Sequence, residues 1–200
     1  FCAAAGPPSA EEIVRRLEAN QRFQTEQAEG VLVISDRFGS RTKTFVSYAD
    51  GEDRMLIAFT KPEEKGQKIL RLRNEIYLYF PEAEEVLRLQ GSALKESVMG
   101  SDFSYEDLTG EKSMLDRYTA RLLATERLEG REHYLLELKA KERGLAYPLE
   151  KLWVDAELFV VRRAEYYALS GRLLKSLELG DFKRIAARQL AMRALMRDQM

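Results

Sequence analysis

The sequence predicts a mainly β protein with helices (α+β), in which about eleven antiparallel strands accompany an N-terminal helix and a central helical segment. Three observations predict this class. Short apolar or alternating runs recur along most of the chain, each closed by a turn residue. Helical spacing of apolar residues occurs near the N-terminus. The alternation breaks between Gly91 and about Tyr118, where capping residues indicate one or two short helices.

The overall composition is that of a soluble globular protein. The 200 residues are 45% hydrophobic and 32% charged, and a chain of this length can bury about 70% of its unfolded surface. We therefore expect one domain, residues 9–200, after a signal-peptide remnant or flexible segment, residues 1–8. A formal net charge of −1 gives no electrostatic case for a nucleic-acid partner. No apolar run approaches the roughly 18 residues that a bilayer-spanning helix needs.

The first six residues resemble the end of a secretory signal peptide. Ala3 and Ala5 stand in the small-x-small arrangement of a cleavage site, so we expect export, with a frayed terminus or expression scar as the alternative. Cys2 is the single cysteine, which excludes an intrachain disulfide. Lipidation of Cys2 would anchor the protein to a membrane, but Phe1 fits poorly the small residue that normally precedes such a site.

The N-terminal helix is predicted from a capping box and an apolar stripe. Ser9 can accept a backbone N–H of the first turn, and Glu12 can reach back to it. The residues that then fall near one side at helical spacing are Ile13, Val14, Leu17 and Phe23.

Two groups of strands are predicted on either side of the helical interruption. The first six runs are 31–38, 42–48, 55–60, 68–73, 76–80 and 86–90. In the interruption, Asp102 or Ser104 is the expected capping residue. The later five runs are 119–128, 132–140, 150–155, 160–168 and 173–179.

The C-terminal segment, residues 184–200, is ambiguous. Its alanines, leucines and methionines favour a helix, whereas its position after successive strands favours a closing strand. Its excess of cations also allows a helix on a membrane surface.

Little in the sequence predicts catalysis. His133 is the only histidine, and its strand-like alternating surroundings indicate an ordinary structural position. The wide glycine spacing excludes the phosphate-binding glycine motifs. We therefore predict a protein that is not an enzyme and uses no metal or cofactor. The enzymatic alternative is a lipid esterase that pairs His133 with Ser104 or Ser170.

Several strands are apolar at nearly every position, for example residues 55–59 and 76–80. An antiparallel sheet with one wet face should alternate strictly. Either both faces are covered or one face lines a cavity. The alternative to a cavity is that the helices simply pack on the sheet and the aromatic residues are core.

Several segments resemble the LolA-like superfamily of periplasmic lipoprotein carriers, and more closely its outer-membrane lipoprotein-sorting proteins. The most specific is MGSDFSYEDL at 99–108, and the resemblance spans about residues 10–200. Residues 189–192 depart from it because they lack the proline of a strand usual in relatives, which puts closure of the sheet edge in question. The other segments are IYLYFP at 76–81, LWVD at 152–155, RAEYY at 163–167 and GRLLK at 171–175.

The resemblance implies a half-open antiparallel β-barrel whose concave face is covered by the N-terminal helix and a central helical lid. It also implies a periplasmic carrier that shields acyl chains of lipoproteins or phospholipids and moves them toward the outer membrane. An inner-membrane releasing complex and an outer-membrane acceptor would be its partners. The alternative is a lipid-sensing regulatory module of the envelope, since stress regulators share this fold.

Candidate site residues follow from one side-chain parity per strand. We expect residues 98–108 to occupy the mouth of the cavity without lipid and to move aside when lipid binds. Tyr77 and Tyr79 are the competing set on the other parity. The predicted acyl-lining residues are Ile57, Phe59, Leu72, Leu78, Phe80, Leu136 and Trp153, and the predicted lid residues are Met99, Phe103, Tyr105 and Leu108.

Overall fold

The computed structural model describes residues 6–199 apart from residues 22, 52, 65, 74 and 109–112. The signal-like Ala3 and Ala5 and the candidate lipidation site Cys2 lie outside the described residues.

The chain divides into two compact units, each built around one six-stranded antiparallel sheet. We call residues 22–111 the first sheet unit. The second sheet unit combines residues 1–21 with residues 112–200. A single domain over residues 9–200 stays a prediction.

In the first sheet unit each strand pairs with the next one along the chain. The tight connections at Gly39 and Gly51 have positive φ, which glycine adopts without strain. A 3₁₀ turn at Pro62–Glu64 separates the third and fourth strands. The strands are β1 (Thr25–Asp36), β2 (Gly39–Asp50), β3 (Arg54–Phe59), β4 (Lys68–Leu72), β5 (Glu75–Phe80) and β6 (Glu85–Leu89).

The second sheet unit begins with helix α1 (Ala10–Gln21) and resumes with a short helix α2 (Met114–Arg117). Its sheet has the order β14-β11-β10-β9-β8-β7, and β12 and β13 form a separate hairpin. The strands are β7 (Tyr118–Leu128), β8 (Arg131–Ala140), β9 (Leu149–Asp155), β10 (Val161–Tyr167), β11 (Leu173–Gly180), β12 (Lys183–Ile185), β13 (Arg188–Leu190) and β14 (Arg193–Asp198).

The mainly β fold with open antiparallel sheets is confirmed, and all eleven predicted strands are present near their expected positions. The ambiguous C-terminal segment forms three further strands, so its helical and membrane-surface interpretations are wrong. Pairing explains this outcome, because β14 bonds to β11 from Lys175–Asp198 to Gly180–Arg193 and buries Met196. Cross-strand contacts therefore override the helix propensity of the alanines.

Helix α1 begins at the predicted cap. The backbone N–H of Glu12 donates to Oγ of Ser9 at 3.2 Å. The Glu12 carboxylate, which the capping box predicts to reach back to Ser9, accepts a hydrogen bond from Arg16 within the helix. Near the other end, Nδ2 of Asn20 donates to the carbonyl oxygens of Leu158 and Phe159, both at 2.9 Å. These bonds fix the helix on the sheet of its own unit.

The core of the second sheet unit lies between α1 and its sheet. The helix buries Ile13, Val14 and Leu17 almost completely. Each buried aliphatic side chain stabilises a fold by about 1.5–3 kcal/mol. The buried sheet residues of this cluster are Tyr118, Tyr134, Leu136, Leu138, Leu152, Val154, Val161 and Ala164.

Asp155 ends β9 and organises the turn into β10. Its side chain is 1% exposed. Arg131 donates to both carboxylate oxygens, at 2.7 and 3.2 Å, and the backbone N–H groups of Glu157 and Leu158 donate at 3.1 and 3.0 Å. Burial raises the pKa of Asp155, but these hydrogen bonds outweigh it and hold the pKa at about 2.

Among the helices of the described residues, each is too short or too polar to span a bilayer.

Candidate functional site

One face of the first sheet is apolar and mostly buried. Facing residues of neighbouring antiparallel strands share a side of the sheet, and the register puts Ile69 between Ile57 and Leu78. The rings of Phe45 and Phe59 meet edge to face with centroids 6.4 Å apart. This surface, called the apolar face below, consists of Phe45, Met55, Ile57, Phe59, Ile69, Ile76, Leu78, Phe80 and Leu89.

The apolar face brings together four of the seven predicted lining residues. They come from β3 and β5, where alternate residues point to the same side. The competing Tyr77 and Tyr79 lie on the opposite side of β5, because they alternate with the buried residues. The four lining residues on the apolar face are Ile57, Phe59, Leu78 and Phe80.

The predicted placement of Leu72 needs correction. Leu72 is 37% exposed and lies on the opposite side of the sheet, where its register partners are Arg54 and Glu75. Strand β4 instead turns Ile69 and Arg71 toward the apolar face. In this strand the two leucines, Leu70 and Leu72, lie on the outer side together with Lys68, so the parity that looks more apolar in sequence is not the buried one.

Leu136 and Trp153 belong to the second sheet unit and lie on opposite faces of its sheet. Leu136 is fully buried in the core beneath α1. The register pairs Leu136 with Leu152 and Leu135 with Trp153. On its face, the Trp153 indole N–H donates to Glu126 at 3.1 Å, and the Arg163 guanidinium lies 5.0 Å from its ring centroid. The two residues therefore do not share a face of their own sheet.

Residues 98–108, called the lid segment below, form a loop with its own hydrogen bonds. Ser97 and Ser104 make an isolated antiparallel bridge. The N–H of Val98 donates to the Phe103 carbonyl at 2.7 Å, and the N–H of Tyr105 donates to the Glu96 carbonyl at 3.1 Å. The loop turns at Met99, whose φ of 55° is left-handed. Most of its backbone bonds are thus local and do not depend on the sheet.

The capping prediction at Ser104 is confirmed. The N–H of Ser104 donates to Oδ2 of Asp107 at 2.7 Å, and the N–H of Asp107 donates to Oγ of Ser104 at 3.3 Å. This reciprocal pair starts a 3₁₀ turn at Glu106–Leu108. These two hydrogen bonds fix the backbone on both sides of Tyr105.

The lid segment covers the apolar face with a few side chains. Val98 is 5% exposed and Tyr105 is 9% exposed, and both join the buried cluster of the first sheet unit. Met99 and Leu108 are partly buried and pack against the same cluster. Phe103 is also half-buried. Burial raises the pKa of the Tyr105 hydroxyl, and the Glu96 carboxylate raises it further. Sequence reasoning placed the segment but missed Val98 as a main contact.

Arg71 is a polar residue on this face that sequence reasoning missed. It is 7% exposed, and its register partners are the apolar Met55 and Ile76. The only sequence signal was its two-residue spacing from Ile69.

Of the three residues of the esterase alternative, His133 and Ser104 make structural contacts. His133 is buried in β8, and its Nδ1 lies 3.0 Å from the carbonyl oxygen of Arg131. Ser104 caps the turn described above, and Ser170 is exposed in the turn after β10. Within the described residues, no group of three or more His, Cys, Asp or Glu side chains is arranged to hold a metal ion.

Comparison with solved structures defines the class of fold. A LolA superfamily protein from Nitrosomonas europaea is 24% identical, with a TM-score of 0.78 over 96% of this chain and 87% of its own. An outer-membrane lipoprotein-sorting protein domain from Vibrio parahaemolyticus is 22% identical, with a TM-score of 0.85 over 94% and 84%. The chain therefore has the LolA-like fold, as its sequence predicted.

The family follows from a sequence model. A DUF1329 family protein from Desulfovibrio piger is similar in structure, with 25% identity and a TM-score of 0.88 over 94% of this chain and 85% of its own. A family model described as "-like: Uncharacterized protein" matches residues 51–200, and the chain belongs to that family. No curated protein matches the sequence.

Proposed function

We propose that the protein is a non-catalytic periplasmic carrier that binds acyl chains of lipoproteins or phospholipids on the apolar face of its first sheet. It would move them toward the outer membrane. The solved relative described as a lipoprotein-sorting domain supports this role through its fold.

The observation that carries the proposal is the construction of the lid segment. Its backbone forms hydrogen bonds within the loop, from Val98 to Phe103 and from Tyr105 to Glu96. Its hold on the apolar face is made by side chains, chiefly Val98 and Tyr105. Such a cover can leave the sheet without exposing the backbone ladder of β3, β4 or β5.

The energies allow reversible exchange of the lid segment for an acyl chain. Uncovering Val98 and Tyr105 costs about 3–6 kcal/mol, at about 1.5–3 kcal/mol for each large apolar side chain. A palmitoyl-length chain gains at most about 11 kcal/mol, at about 0.8 kcal/mol per buried CH₂. The difference of about 5–8 kcal/mol is similar to the cost of association. Binding would therefore be reversible, as handover to an acceptor requires.

The proposed route needs a donor and an acceptor. We expect an inner-membrane complex to release the lipid cargo to the protein and an outer-membrane acceptor to receive it. Export through a signal peptide and anchoring through Cys2 remain predictions for residues outside the described part of the chain.

Native mass spectrometry after mild purification tests for bound lipid. We expect adducts with the mass of an acylated molecule, which disappear after delipidation. Delipidated protein should then take up a fluorescent acyl probe. A native protein free of adducts that also takes up no probe would contradict the proposal.

Two glutamate substitutions on one strand locate the binding surface. Phe80→Glu places a charge on the apolar face and should reduce probe uptake at least tenfold. Tyr79→Glu is the matched control, because Tyr79 lies on the other side of β5, and it should leave uptake unchanged. Equal uptake by both variants would place the acyl chain elsewhere.

The sensor alternative is distinguished by a pull-down with loaded and delipidated protein. A carrier meets its donor and acceptor while exchanging cargo. A regulatory partner that stays bound to only one of the two forms would favour a sensor instead.

A further inference from the structure

Arg71 places a buried cation among apolar side chains. Arg71 is 7% exposed, yet its buried Nε and Nη1 have no hydrogen-bond partner within the described part of the chain. Met55 and Ile76 flank it across the neighbouring strands. Because a buried donor without an acceptor loses its hydration and regains nothing, this arrangement destabilises the unliganded protein.

A second cation on the same side of the sheet is treated differently. Lys43 lies two residues before Phe45 in β2, and its ammonium group is paired with the Glu64 carboxylate. Both side chains of this pair are mostly buried. The fold thus supplies a counterion for Lys43 but no hydrogen-bond acceptor for Nε and Nη1 of Arg71 within the described residues.

We propose that Arg71 binds the anionic head group, phosphate or carboxylate, of a lipid whose acyl chain lies on the apolar face. This inference rests on the proposed function and narrows its cargo to acidic lipids. A guanidinium suits this task because it stays protonated and offers several donors to the oxygens of one anion.

The charge on Arg71 is maintained by its surroundings. Burial lowers the pKa of the guanidinium, and the nearby Asp53 carboxylate raises it. Since the ordinary pKa of arginine is far above neutral, the group remains a cation. Asp53 balances part of the charge without occupying Nε or Nη1. An entering anion would therefore find two free donors in a site with little water.

Competition against a fluorescent acyl probe tests the proposal on the full-length delipidated protein. The lipid pairs are palmitate with hexadecanol, and palmitoyl lysophosphatidylglycerol with monopalmitoylglycerol. Within each pair the hydrocarbon chain has the same length, and only one member carries a negatively charged head group. We expect the acidic member to compete about tenfold to a hundredfold better, the range of one or two charge-assisted hydrogen bonds. The pair with the larger preference identifies carboxylate or phosphate as the head group.

Arg71→Met should remove this preference and leave affinity for hexadecanol unchanged. The variant should melt no lower than the wild type, because it replaces an unpaired buried cation by an apolar side chain of similar length. Arg71→Lys should keep part of the preference. Arg88→Met is the matched control, since Arg88 is an exposed cation on the other side of the sheet, and it should behave as the wild type.

Other outcomes overturn the proposal. An Arg71→Met variant that melts lower and loses affinity equally for acidic and neutral lipids would assign Arg71 a structural role. If that variant does not fold, Arg71→Gln is tested with the same lipid pairs. An unchanged preference for the acidic lipids in either variant would exclude head-group binding by Arg71. Competition by inorganic phosphate alone would indicate a free-anion site. Equal binding of both members of each pair by the wild type would contradict head-group binding by Arg71 but not the proposed function. No binding of any of these lipids would contradict the proposed function as well.

Discussion

Asp155 is a residue whose contribution to stability depends on pH in a defined direction. Its pKa is about 2 in the folded protein, below the ordinary value of 3.8. Its stabilisation is therefore fully present above about pH 4 and is lost as the pH falls toward 2. A depression of this size corresponds to about 2 kcal/mol.

Urea unfolding followed by the fluorescence of Trp153 measures this effect. At pH 7, Asp155→Asn should unfold at a clearly lower urea concentration than the wild type, because Arg131 and Arg162 lose the buried carboxylate that both contact. The difference between the two proteins should shrink between pH 4 and pH 2. A difference that stays constant over this range would show that the charge of Asp155 is not responsible.

Gly30 is a second residue with a precise steric role. It faces Phe45 across β1 and β2, and a Cβ at this position would overlap the Phe45 ring. Gly30→Val should therefore push the ring away and lower the free energy of unfolding by about 1–3 kcal/mol. Thermal melting measures the loss. The double variant Gly30→Val with Phe45→Ala should lose less than the sum of the two single variants, because the collision is gone.

At the scale of elements, the hairpin of β12 and β13 has a turn with unfavourable residues. Ala186 and Ala187 have φ of 48° and 66°, the left-handed values of a two-residue type I′ turn. The pair Asn-Gly adopts this geometry with less strain. Ala186→Asn with Ala187→Gly should stabilise the protein by about 1 kcal/mol, seen as a higher Tm. Ala191→Gly is the control and should lower the Tm or leave it unchanged.

The lid segment is the element expected to respond to lipid. Hydrogen exchange should be slow for the backbone N–H groups of Val98 and Tyr105, which are bonded within the loop, with or without an acyl ligand. Side-chain exposure should change instead. Met99→Asp and Phe103→Asp should both reduce acyl-probe uptake. Unchanged uptake in both variants would show that residues 98–108 do not act as a lid.

The elements show why some of the fold could be predicted and some could not. The first eleven strands were predictable because turn residues such as Gly39 and Gly51 close them. The hairpin at residues 183–190 was not, because Ala186 and Ala187 carry no turn signal. The site was only partly predictable. Strands β3 and β5 bury the predicted side chains, whereas β4 turns its leucines outward and buries Arg71. A pattern of hydrophobicity cannot find a strand that buries a cation.

At the scale of the whole molecule, the second sheet unit depends on both ends of the chain. Its core includes Ile13, Val14 and Leu17 of α1. Removal of residues 1–21 should cost about 5–9 kcal/mol at about 1.5–3 kcal/mol per side chain, comparable with the total stability of a domain. We expect the truncated protein to lose protection from hydrogen exchange throughout residues 118–198. Protection equal to that of the full chain would contradict this account of α1.

The position of α1 in the chain also affects how the protein is made. Residues of β10 and β11 that belong to the same buried cluster are synthesised about 150 residues after the helix itself. At about 5–20 residues per second, the helix emerges roughly 8–30 seconds before the surface that will bury it. During that interval its apolar stripe is open to chaperones and proteases, whereas residues 22–111 emerge as one continuous segment. A delay in translation within residues 112–180 would prolong that exposure.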